Sequence, residues 1–175
     1  MSTQLLVPRA GLPQGIGYFV SAMEDIRREL YDTVKELEGE PWSRPAFLGA
    51  HAIGALVLHI GEAEWWWMQC NVAGHELTPE DRKAPFWDVL DDPKGFQSKN
   101  YDREFCLREL DKIRKQTFDQ LYSWGDGDLD RVISLDRDGE TREYNLRWVL
   151  HHLIDHEAQH RGQILMLKRL MAAGE

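Results

Sequence analysis

Four of the seven histidines in the 175-residue chain fall within ten residues, in the stretch HHLIDHEAQH from His151 to His160. Imidazole either exchanges a proton near neutral pH or gives a lone pair to a transition metal. Spacing separates the four. At about 100° per residue, Val149, Leu153, His156, His160, Gln163, Ile164 and Leu167 fall in one helical arc of about 120°. His152 lies at the edge of that arc and His151 well outside it. His156 and His160, at i and i+4, are one turn apart on one face, from which both rings can reach a single metal at about 2.0 to 2.1 Å.

Two readings of this pair stand side by side. Two partly buried histidines, each hydrogen-bonded to a neighbour, are common in cores. Here, however, adjacent imidazoles on an apolar stripe need several polar partners among aliphatic groups, and one cation satisfies both. A third imidazole, His59, lies toward the edge of the apolar arc of another predicted helix. It would complete a three-histidine face with open positions, as catalytic metal sites have.

The residues around these three carry weaker signals. Glu62, one turn after His59, is the carboxylate nearest in sequence to a proposed ligand and the one general-base candidate. Trp65, Trp66 and Trp67 are each about 100° apart and cannot share a face. Trp67 falls on the core arc, and Trp66 stands about two turns beyond His59, to wall a metal pocket or to serve an interface. His152 either braces the ligands or sits on the rim, the rim reading being favoured. Arg161 points sideways, toward a substrate anion or a surface salt bridge, the salt bridge being favoured. Asp155 and Glu157 fall off the inner arc and read as solvated helix charges. The chain has no Gly-rich phosphate loop, no G-x-S-x-G and no thiol pair at redox spacing, so phosphoryl transfer, serine hydrolysis and disulfide exchange lack support.

The elements that must position these residues follow from the apolar period. Ile16, Phe19, Val20, Met23, Ile26, Leu30, Val34 and Leu37 recur at three and four residues and predict a first helix from Pro13 to Leu37, stopped by Gly39 and Pro41. GEPWSRP reads as a loop. A second helix is expected from about Gly49 to Ala73, with Gly74 as its cap. Residues 75 to 100 read as a long connection in which TPEDR opens one turn capped by Thr78. A third helix is expected from Asp102 to Trp124, its inner side traced by Leu107, Leu110, Arg114, Thr117, Leu121 and Trp124, with Gly125 ending it. VISLDRDGETREY alternates around Asp138-Gly139 and predicts a tight type I′ hairpin. A fourth helix runs from about Asn145 to Met171, closed by Gly174. The expectation is one all-α domain over residues 1–175: a four-helix bundle with a long connection between helices two and three and a short β-hairpin before the last helix. Such bundles build metal sites from facing helices.

Composition narrows the class. With 42% hydrophobic residues, the chain can build one sizeable core. No signal peptide or membrane span is expected, and the two cysteines, Cys70 and Cys106, read as reduced thiols of a cytoplasmic protein. Thirty acidic against 21 basic residues give a net charge of −9 with no basic patch, which disfavours nucleic acid.

HHLIDHEAQHRGQI resembles the C-terminal motif of the DinB/YfiT-like family, H-x-x-x-H-R-G-Q, and HAIGALVLHIGEAEWWW is similar to its second-helix segment. Helix order and chain length extend the resemblance over most of the chain. It implies an up-up-down-down style bundle, often a homodimer, with one divalent metal on His59, His156 and His160. Gln159 departs from the family, many of whose members have histidine there, at a position off the inner arc. Zinc or nickel is the metal expected. Since the family includes thiol-dependent S-transferases and isomerases, the resemblance implies a metal-dependent enzyme that activates a low-molecular-weight thiol or a water against a small molecule. The other reading kept is a non-catalytic, stress-related metal-binding bundle acting through a dimer interface or a protein partner.

Overall fold

The computed structural model describes residues 5–173; Gly174, expected to close the chain, lies outside them, as do residues 1–4. Four long helices carry the fold: α1 (Gln14–Val34), α3 (Ile53–Trp65), α5 (Arg103–Leu121) and α6 (Leu146–Ala173). Two short helices, α2 (Glu40–Ser43) and α4 (Pro93–Lys99), and the hairpin β1 (Val132–Arg137) and β2 (Glu140–Asn145) fill the connections.

Pairings between elements give the helix directions. Arg27 with Glu157, and the Lys168 ammonium on the Thr33 carbonyl at 2.6 Å, run α1 and α6 parallel. Glu64 with Arg114, and Gln120 with Gln69 at 3.0 Å, run α3 and α5 parallel. Trp67 beside Trp148, and His59 beside His160, make α3 and α6 antiparallel. In chain order the bundle is therefore up-down-down-up, which corrects the up-up-down-down order implied by the resemblance. The physical reason is chain length: a parallel pair of sequential helices needs a connection that returns the full length of the bundle. The segment between α3 and α5 is the long one.

Local signals explain most boundaries. The Asp102 carboxylate accepts from the Phe105 N–H at 2.7 Å and opens α5, and Asn145 Oδ1 accepts from the Trp148 N–H at 2.9 Å and opens α6. Asp138 and Gly139 both have positive φ, 54° and 80°, as a type I′ turn requires. The register Arg137↔Glu140 to Val132↔Asn145 follows from that turn.

Three local expectations are corrected. GEPWSRP contains α2, because Trp42 is buried and its indole N–H donates to the Tyr101 carbonyl at 3.1 Å. Residues 93–99 form α4, capped by Asp92 on the Gly95 N–H at 2.9 Å and anchored by buried Phe96; one buried residue is too little period to read from sequence. The second helix begins at Ile53 rather than Gly49 and passes at Trp66 into a π-helical turn that lasts to Val72.

The core is two apolar clusters. One gathers Leu30, Val34, Trp42, Ile53, Ile60, Leu110 and Ile164; the other gathers Ile16, Met23, Trp67, Leu121, Leu129, Leu150 and Leu153. In each of the four long helices a buried charged residue lies between the two clusters: Arg27, Glu64, Arg114 and Glu157, exposed by only 6, 1, 7 and 1%.

Candidate metal centre

α3 contributes His59, and α6 contributes His156 and His160, one turn apart. The three lie half-buried along the seam between these helices, and one ligand atom from each falls within 4.8 Å of the others. No other such group of histidine, cysteine and carboxylate side chains occurs among the described residues. The ring centroids of His59 lie 5.2 Å from His156 and 5.0 Å from His160.

Hydrogen bonds settle which nitrogens face inward. Gln163 Oε1 can only accept, so His160 Nδ1, 2.9 Å away, carries the proton and leaves the Nε2 lone pair free. Glu62 Oε2 likewise accepts from His59 Nδ1 at 2.9 Å. His156 Nε2 lies 3.1 Å from His160 Nε2, a spacing satisfied by one shared proton or one shared cation. Burial, reinforced by neighbouring His160, His59 and His152, holds the His156 pKa at about 3, and burial also lowers that of His160. Imidazoles whose outer nitrogens are held by a carboxylate and an amide, with the other nitrogen turned inward, are what a divalent cation requires of its donors. The donor set fits a metal ion.

The other expected residues are placed as follows. Glu62 touches His59 and also faces the Asp88 N–H through Oε1 at 3.4 Å. His152 is half-buried, stacked on Trp148 at 4.9 Å and 8°, with its ring 5.8 Å from His156. Trp66 is half-buried and meets Trp67 edge-on at 5.0 Å; Trp67 itself is core. Trp65 turns away to pack against Phe86 and Trp87. Arg161 pairs with Glu29 of α1. Burial pushes the Cys106 thiol up to about 12, so it is no nucleophile at neutral pH, and burial also raises that of Cys70 above its ordinary value.

Asp155 is exposed, but the reading of Glu157 as a solvated charge is overturned: it is buried against Arg27 and Arg114. α6 packs on α1 as well as α3, so its buried arc is wider than the one stripe counted. The arc that holds Gln163 gives it no role from sequence, and sequence spacing does not single out Arg27 or Glu64. It does place both inward, since Arg27 continues Val20, Met23 and Leu30, and Glu64 continues Val57, Ile60 and Trp67, at apolar spacing.

A family model described as mycothiol-S-transferase matches residues 18–173 of the chain. The search of curated proteins finds no match.

Proposed function

The chain belongs to the mycothiol-S-transferase family, a DinB-like family, and on that premise we propose that it transfers a low-molecular-weight thiol to a small electrophile. In this reading His59, His156 and His160 hold one divalent metal. The observation that carries it is the cluster of three imidazole nitrogens within 4.8 Å, two of them with their outer nitrogens already engaged.

A divalent metal bound there would supply a Lewis acid that lowers the pKa of a thiol, so that thiolate is present near neutral pH. The chain's own residues do the rest. Glu62 and Gln163 keep the Nδ1 positions of His59 and His160 protonated and their Nε2 lone pairs turned inward. Glu62 is also the base proposed to take up the thiol proton. Trp66 and His152 are proposed to border the electrophile. Arg161, engaged with Glu29, is better suited to clamp α6 on α1 than to hold a substrate anion.

Imidazole donors suit zinc or nickel. The net charge of −9 supports a small-molecule rather than a nucleic-acid substrate. No described helix is long and apolar enough to cross a membrane. A cytoplasmic protein with free Cys70 and Cys106, and a homodimer drawing on exposed Phe47, Leu48, Met166 and Leu170, complete the proposal, with residues 1–175 as one domain.

The test is elemental analysis of the purified protein beside His59→Ala and His156→Ala, followed by metal-dependent consumption of mycothiol with a panel of electrophiles. About one equivalent of metal, lost in both variants, and turnover that follows metal content are expected. Absence of metal from the folded parent, even after incubation with zinc or nickel, would overturn the metal site. Full metal content without turnover would leave a non-catalytic metal-binding bundle.

A further inference from the structure

One charged residue from each long helix meets in the centre of the bundle. Arg27 grips Glu157 through Nε on Oε1 at 2.6 Å and Nη2 on Oε2 at 3.2 Å, and reaches Glu64 Oε2 at 3.1 Å. Arg114 grips Glu64 through Nε on Oε1 at 2.8 Å and Nη2 on Oε2 at 3.0 Å, and reaches Glu157 Oε2 at 2.7 Å. Each guanidinium also ties α1 to α5 through the main chain: Arg27 Nη1 donates to the Leu110 carbonyl at 3.3 Å and Arg114 Nη1 to the Met23 carbonyl at 2.6 Å. Two positive and two negative groups balance, and each of the four carboxylate oxygens accepts at least one hydrogen bond.

Such a layer is a poor device for stability alone. Desolvating four charges is costly enough that well-packed apolar residues of similar volume often serve as well or better. What it does that apolar residues cannot is choose a register. The two apolar clusters repeat every three or four residues, so α6 sliding one turn past α3 would still meet apolar partners. The same slide, about 5.4 Å, would change which α6 residues face His59: in one direction Ile164 takes the place of His160, in the other His152 takes that of His156, so the set of His59, His156 and His160 exists only in the present register. Paired forks between planar guanidinium and carboxylate groups tolerate no such slide. Glu157 is the residue after His156, and Glu64 lies five positions after His59 on the other helix of the site. Holding Glu157 toward α1 and α5 also fixes the rotation of α6, because His156 then points about 100° away, toward α3.

We infer that Arg27, Glu64, Arg114 and Glu157 form a register lock for the metal centre, positioning His59 against His156 and His160. The inference rests on the metal reading above. It places these four residues outside the ligand set, acting on the metal through the relative placement of α3 and α6.

The test is titration of full-length, metal-free protein with cobalt(II) alone, read by ligand-field absorption and by competition with a chelator, with circular dichroism and melting recorded beside it. Parent, Glu157→Gln, Arg114→Lys and the fourfold apolar variant Arg27→Met/Glu64→Leu/Arg114→Met/Glu157→Leu are compared. The fourfold variant keeps the layer electrically neutral, which separates geometry from the loss of a charge near the ligands. The expected result is a folded fourfold variant whose cobalt affinity falls about tenfold to a hundredfold, with an altered absorption spectrum at unchanged helicity. Arg114→Lys, which keeps the charge and loses the fork, should move the same way by less.

A folded fourfold variant with the parent's affinity and spectrum overturns the inference while leaving the metal site standing. A parent that binds neither cobalt nor zinc overturns the metal reading, and the inference with it. If none of the variants folds, the layer is a folding requirement rather than a register device, and the inference is likewise overturned.

Discussion

His156 and His160 share an edge of α6 with Leu153 and Ile164, and their chemistry depends on what holds their outer nitrogens. For His160 that is Gln163 Oε1, and for His59 it is Glu62 Oε2. An oriented imidazole keeps its lone pair on the metal instead of sampling other rotamers, so these partners matter beyond their own hydrogen bonds. Glu62→Ala and Gln163→Ala should each lower zinc affinity about tenfold to a hundredfold by chelator competition, with the melting temperature of the metal-free protein little changed. Affinity equal to the parent's in both would remove them from the site. The residue scale was partly legible: the i,i+4 pair and the third histidine follow from spacing and resemblance. The hydrogen-bond partners of His59 and His160 do not, because three residues of separation allows a contact without choosing a rotamer.

At the scale of elements, α3 meets its neighbours through close approaches that side-chain volume controls. A Cβ on Gly54 would lie 2.6 Å from the Trp42 indole nitrogen and 2.8 Å from the Phe96 ring, the buried anchors of α2 and α4. Gly54→Ala should therefore cost about 1 to 3 kcal/mol by urea unfolding, since rigid rings must shift to admit it. A neutral substitution would mean that α2 and α4 are not seated on α3 as described. Periodicity located α1, α3, α5 and α6 because each offers many apolar turns, and Asp138-Gly139 located the hairpin because few residue pairs adopt its two positive φ angles. It could not locate α2 or α4, whose helicity depends on single buried residues, or the π-helical turn at Trp66–Val72, which leaves no period of its own.

For the whole molecule, protons taken up on unfolding set the response to acid. The folded His156 pKa is held at about 3, first by burial and then by its histidine neighbours, against 6.5 ordinarily. Between those values the unfolded chain carries a proton there that the folded chain refuses, so metal-free protein loses stability as pH falls below about 6.5. Glu64 adds to this at lower pH. Burial alone would raise its pKa, but Arg114 and Arg27 more than offset that and hold it below 4.5, so its contribution is present above that value and is lost as pH falls through the folded pKa. Unfolding free energy measured with urea should decline from pH 7 to 5, and the decline should shrink in His156→Gln. A flat profile over that range in the parent would show that His156 is not held neutral.

Sequence by itself determined that this chain is helical, where its long helices run, that a hairpin precedes the last one, and which three imidazoles are candidates to share a metal. These follow from local period, turn chemistry and residue type, which are written along the chain. Tertiary structure alone decided the helix directions, the partners of the candidate ligands and the fate of Glu157. A charge at an apolar position is costly or useful according to what three other helices bring to meet it. Here they bring Arg27, Arg114 and Glu64, and no pattern within one helix could say so.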